Sequence, residues 1–176
     1  MKNRTNKKVM LISGLAMIVA VLLWMMTHKE TPPRMKTAED EMPDFKFQLM
    51  DGRMMQRADM DGAKYTLIWF FNSECDLCVN EIQALVDSIS LLNNCRIVMV
   101  SHEDSTKVAG FYERFRLMEY PSISVACVPE NYIKDMFKIY VVPTLYVYHP
   151  DKRMIKYKPG PVTIHEIIQY LKNNYL

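Results

Sequence analysis

YTLIWFFNSECDLCVNEIQAL, residues 65 to 85, changes character halfway along. Tyr65 to Phe71 is an apolar, aromatic-rich run, too short for a helix and suited to a buried strand. Beyond it, Val79, Ile82, Leu85, Val86, Ile89 and Leu92 recur at helical spacing. Cys75 therefore falls at the turn and Cys78 in the first turn of the helix. Positions i and i+3 share a helix face, so the two sulfurs can meet. Unpaired N–H groups and the positive end of the helix dipole stabilise a thiolate there. Thiolate is the nucleophile of disulfide exchange.

Three readings of the pair are open: a redox couple, half of a metal site, or two inert core residues. Glu74, Asp76 and Asn80 make a poor core around them. Structural zinc wants four ligands, usually with a second paired motif. Cys95 and Cys127 lie apart in apolar stretches and read as small buried hydrophobes. His28, His102, His149 and His165 are scattered, so no metal ligand is assigned. A copper-delivery module stays open through His102 and Met50, Met54, Met55 and Met60, although methionine more often fills gaps in a core.

Outward from the cysteines, strand and helix patterns alternate. CRIVMVS (95–101) reads as a buried strand. A helix follows from about Thr106, capped by Asp104 or Ser105, with Val108, Phe111, Tyr112, Phe115 and Met118 inward. SISVACV (122–128) is a strand and Asn131 to Ile139 a short helix. TLYVYHP and RMIKYKP make a hairpin around His149-Pro150-Asp151-Lys152. Thr163 and Glu166 form a capping box for a helix burying Ile164, Ile167, Ile168 and Leu171. Upstream, FKFQLM (45–50), the Asp51-Gly52 turn and RMMQ give a smaller hairpin. Together these predict an α/β fold, a central mixed sheet flanked by helices, with an N-terminal β-hairpin extension.

Nearly half of the 176 residues are apolar, enough for one domain with a real core plus an appendage. The appendage is N-terminal. Residues 1–8 hold Lys2, Arg4, Lys7 and Lys8 and no acid. Of 22 Lys and Arg, 18 then remain against 20 acids, a net charge of −2 that leaves no basic face for nucleic acid. Residues 9–26, VMLISGLAMIVAVLLWMM, carry no charge and as a helix reach ~27 Å, enough for a thin bilayer. The run ends LLWMMTHKE, without the small residues of a signal-peptidase cut site. The expected organisation is a cytoplasmic segment (1–8), a transmembrane signal anchor (9–26), a polar linker with Pro32-Pro33 (27–42) and a domain (43–176). That places the domain on the periplasmic, extracytoplasmic side of the inner membrane, tethered by a single pass.

Pro143 precedes the strand TLYVYH and cannot donate a ladder hydrogen bond, so it belongs at a strand start or edge. It is either an ordinary trans proline or a cis one that exposes backbone for a substrate chain to pair with.

Taken jointly, MPDFKFQLMDGRMM, GAKYTLIWFFNSECDLC, the VNE after Cys78 and FKIYVVPTLYVYHPDKRMIKYKPG resemble a known family. It is the membrane-anchored thioredoxin-like thiol-disulfide oxidoreductases of the redoxin (TlpA/ResA-like) group, and the likeness covers roughly residues 42 to 173. The resemblance implies a thioredoxin fold in which Cys75 attacks, Cys78 resolves and Glu81 tunes the thiols. It further implies that Val142, Pro143 and Thr144 form the cis-proline loop facing them and binding substrate. Partners would be protein thiols and disulfides and an upstream membrane or thioredoxin-type electron donor. No dinucleotide fingerprint is present and no cofactor is implied.

The chain also departs from that family. Glu74 stands where a tryptophan is usual, and Asp76-Leu77 replaces Gly-Pro between the cysteines. Carboxylates there oppose the helix dipole, disfavour thiolate and make the pair a reductant. A thiol peroxidase of related fold would need Thr and Pro where Asn72 and Ile68 stand.

Overall fold

Alternation along the central strand decides which side of the sheet each other element takes. In this computed structural model, which describes residue 17, residues 41–60, 62 and 64–173, strand β3 (Tyr65–Phe70) is buried at every position. Successive side chains of a strand point to opposite faces. Leu67 and Trp69 therefore enter one apolar cluster, while Ile68 and Phe70 enter a second on the other face.

The first cluster is closed by helices α1 (Asp76–Asp87), α2 (Ser105–Arg114) and α4 (Ile164–Lys172), through Ile82, Leu85, Val108, Phe111, Ile167 and Leu171. The second is closed by helix α3 (Glu130–Phe137) and by a hairpin of β1 (Lys46–Gln48) and β2 (Met54–Gln56), whose Phe45 and Phe47 rings stack at 4.4 Å. The remaining strands are β4 (Cys95–Ser101), β5 (Ile123–Cys127), β6 (Thr144–Tyr148) and β7 (Met154–Pro159). They order the sheet β5-β4-β3-β6-β7, with β3, β4 and β5 parallel and β6 and β7 antiparallel. The parallel strands end together at one edge, and the turn into α1 leaves from there.

Most expected elements appear within a residue or two, including the Thr163–Glu166 capping box and the Asp104 cap of α2. Three expectations are corrected. The helix after the cysteines stops at Asp87 and continues as a 3₁₀ turn, Ile89–Leu92. Met118 is not inward but 76% exposed. Helix α2 ends at Arg114, Arg116 takes a left-handed conformation, and the resulting change of phase turns Leu117 into the core instead. Glu41 and Met42, expected in the linker, are docked: Met42 is buried and its N–H donates to the Lys152 carbonyl, beside a bridge between Glu41 and Arg153. The expected anchor over 9–26 lies, apart from Met17, outside the described residues, as does the linker before Glu41. Among the described residues no helix is long and apolar enough to cross a membrane.

Candidate active site

After Phe71 the chain leaves β3 through Asn72, Ser73 and Glu74, and each is tied down. The Glu74 N–H donates to Asn72 Oδ1 at 2.9 Å, an Asx turn that bends the loop toward α1. Ser73 donates its N–H and its hydroxyl to the two carboxylate oxygens of Glu103, at 2.6 and 2.8 Å. Glu103 also accepts from the Ser101 hydroxyl at 2.9 Å, so the end of β4 holds the loop. Cys75 is then the N-cap residue of α1, with extended backbone, and its carbonyl accepts from Val79 N–H at 2.9 Å.

The two thiols sit in unlike surroundings. Cys75 is half-buried, whereas Cys78 is fully buried against the first cluster. Burial pushes the Cys78 thiol up to about 12; contact with the Cys75 sulfur and the nearby Glu81 add to this, and the Asn72 backbone N–H opposes it. Both sulfurs lie at the start of the helix, as the spacing predicts. The flanking carboxylates differ from expectation in one respect. Glu74 is paired with Lys107 of α2 at 3.0 Å, so a cation offsets one of the two charges beside Cys75.

Glu81, one turn after Cys78, is buried. Its carboxylate accepts from the Trp69 indole at 3.0 Å and from the Val162 N–H. Burial raises its pKa, and these two donors oppose that shift without cancelling it. The Val142–Pro143 bond is cis. The Pro143 carbonyl accepts from Gly160 N–H at 2.9 Å and the Thr144 hydroxyl donates to the Val141 carbonyl at 2.7 Å. Segment 160–162 thus holds both the cis-proline loop and Glu81. Val141 and Tyr140, just before that loop, are exposed.

Cys95 is buried, and burial pushes its thiol up to about 12. Cys127 is half-buried and pushed up to about 11, first by burial and then by Glu103 and Asp104. The methionines considered for copper are dispersed: Met54 is exposed, Met60 is buried beneath Thr66, and Met50 touches Cys127. Among the described residues, His, Cys, Asp and Glu nowhere gather in threes fit to hold a metal ion.

Sequence reasoning missed Ser73, Glu103, Lys107 and the Trp69–Glu81–Val162 link. Each partnership joins residues about 12 to 81 positions apart, with no local spacing to announce it.

The AhpC/TSA family model matches residues 38–157. None of the curated proteins matches the chain. Solved structures give the fold. A secreted disulfide oxidoreductase of Mycobacterium tuberculosis superposes with TM-score 0.62 at 15% identity, covering 74% of this chain and 96% of that one. StoA of Bacillus subtilis gives 0.60 at 15%, covering 75% and 98%. An exposed lipoprotein thioredoxin of Streptococcus pneumoniae gives 0.59 at 19%, covering 74% and 98%.

Proposed function

The chain belongs to the AhpC/TSA family of thioredoxin-like thiol-disulfide oxidoreductases, and from that premise we propose that Cys75 and Cys78 exchange with protein disulfides, chiefly as a reductant. The observation that carries this reading is the asymmetry of the pair. One thiol stands half-exposed at the start of α1, and the other is buried against it with its proton held up to about 12.

Exchange would run in two steps. The Cys75 thiolate attacks one sulfur of a substrate disulfide, forming a mixed disulfide and releasing the other substrate sulfur as a thiolate that takes a proton from water. Cys78 then gives up its proton and attacks the Cys75 sulfur. The second substrate thiol leaves and a Cys75–Cys78 disulfide remains. Two electrons have moved from the pair to the substrate. Burial keeps Cys78 inactive until the mixed disulfide forms, and Glu81, with its raised pKa, is the carboxylate placed to take the proton. Burial disfavours an anion at Cys78, so this thiol adds nothing to the stability of the reduced pair as an anion, which supports the reducing direction. Val142, Pro143 and Thr144 would bind the substrate backbone opposite Cys75. Reducing equivalents would come from another thiol protein or a membrane carrier. The charge-free run at 9–26, preceded by four basic residues, supports an inner-membrane anchor with the domain outside.

A peroxidase reading gains nothing here. Ile68 is buried in β3 and Asn72 Oδ1 is taken by the Glu74 N–H.

Trapping tests the exchange. The Cys78→Ser chain should accumulate mixed disulfides with partner proteins, and Cys75→Ser/Cys78→Ser should not. Adducts that persist in the double variant, or none in the single one, would overturn the assignment. For the anchor, a phosphatase fused after Leu176 should be active and the N-terminus retained; an inactive fusion reverses the topology.

A further inference from the structure

Away from the dithiol, two sulfurs of unrelated parts of the chain are held in contact: Cys127 Sγ lies 3.5 Å from Met50 Sδ. The contact is built by the backbone. Leu49 bridges to Ala126 across the free edge of β5, and the Met50 N–H donates to the Val125 carbonyl at 2.8 Å. The hairpin turn is thereby fastened to β5 with Met50 beside Cys127.

Both sulfurs line an open groove between that turn and α2, formed with Gly52, Ser105 and Thr106. Met50 and Ala109 also border a second groove, on the side of α2 toward Arg116. Glu103 and Asp104 lie near enough to Cys127 to add to the effect of burial in disfavouring an anion there. The neighbouring Asp51 and Glu119 are already paired, with Arg53 and Arg116.

We propose that Cys127 and Met50 form a binding site for a soft monovalent cation of the copper(I) class. Thiolate and thioether sulfur are the donors that such an ion prefers, and it accepts two or three of them. Such a site needs no cluster of His, Asp and Glu. On binding, the Cys127 thiol gives its proton to solvent and a copper–sulfur bond forms. No electron moves. The carboxylates that make an anion costly at Cys127 attract a cation to the same point, and thiolate bound to the metal is no longer a bare charge. Cys95 shows the contrast, since it is buried inside the first cluster. The site is separate from the Cys75–Cys78 pair and needs neither thiol.

The test uses the full chain carrying Cys75→Ser/Cys78→Ser, so that the dithiol cannot hold metal. Titration with copper(I) under reducing conditions, against a chromophoric chelator, should show one ion per chain. Adding Cys127→Ala should abolish it. Adding Met50→Leu, which keeps volume, should weaken binding at least tenfold. X-ray absorption of the bound copper should show sulfur neighbours only. Failure of the background protein to bind copper(I), or binding unchanged by both Cys127→Ala and Met50→Leu, overturns the proposal. Nitrogen or oxygen as the main neighbours does so as well. Should Cys127→Ala fail to fold, the Met50→Leu titration and the absorption spectrum decide.

Discussion

Two half-buried cysteines stand at the same edge of the sheet, Cys75 just beyond β3 and Cys127 at the end of β5, and both have carboxylates nearby. What separates them is the company of each sulfur. Cys75 caps a helix, so free N–H groups face it, and a second thiol waits one turn on. Cys127 ends a strand, gets no such donors, and has a thioether as its neighbour. Thioether cannot form a disulfide in exchange. On the two proposals made above, sulfur in the same domain would serve electron transfer in one place and cation binding in the other. Burial and charge alone do not tell the two apart.

The largest effect that can break this comparison is on turnover. Cys75→Ser should take reduction of a protein disulfide to background, because no other thiol has both exposure and a partner. In oxidised wild type, alkylation and mass mapping should find Cys75 and Cys78 blocked and Cys95 and Cys127 free. A bridge between Cys95 and Cys127 would contradict this division between the two kinds of cysteine.

Next in size is the carboxylate that holds the loop before Cys75. Glu103 takes both donors of Ser73 and is itself braced by Ser101. Glu103→Ala should lower stability by about 1–3 kcal/mol, read by chemical denaturation, since charge-assisted hydrogen bonds are lost and Ser73 is left unpaired. It should also slow attack by Cys75, while Glu103→Gln recovers part of both. Loss of stability with unchanged attack would mean that the loop needs no brace from β4.

Glu81 offers a test by pH. Its folded pKa lies above the ordinary 4.5, with burial as the main cause. A raised pKa means that the folded state holds the proton longer than the unfolded one. The stability Glu81 contributes is therefore full below pH about 4.5 and is lost as pH rises through the folded pKa. Glu81→Gln should flatten that part of the profile. Should wild-type stability instead rise across this window relative to the variant, the Trp69 and Val162 donors outweigh burial.

How much of this was legible beforehand depended on distance along the chain. The fold was readable because its signals are local: the seven apolar residues from Tyr65, the helical spacing after Cys78, the Thr163–Glu166 box. The placement of Cys75 and Cys78 was readable for the same reason, since it follows from a junction of strand and helix. Met118 misled because its i+3 spacing from Phe115 continues a pattern that the left-handed Arg116 interrupts. Lys107 and Glu103 were invisible because they meet Glu74 and Ser73 only after β4 has been laid beside β3. The Met50–Cys127 contact joins residues 77 positions apart, and nothing in either segment names the other.

The smallest predicted effect concerns the Glu74–Lys107 pair, and it sharpens what the carboxylates beside Cys75 do. Both side chains are more than half exposed, 70% for Glu74 and 53% for Lys107, so solvent screens them and their pairing should not register in stability. Their position is what matters. Glu74 immediately precedes Cys75, and with Lys107 present its charge is largely offset there. Lys107→Met uncovers that charge and should slow attack on a small neutral disulfide by about two- to fivefold at low salt. The slowing should fade as ionic strength approaches the point where the screening length falls to about 3 Å. Glu74→Gln/Lys107→Met should restore the wild-type rate, because the double variant again presents no net charge. If Lys107→Met changes nothing at low salt, the pair is a surface contact without influence on Cys75. Should the double variant stay as slow as the single one, Lys107 acts through the packing of α2 and not through charge.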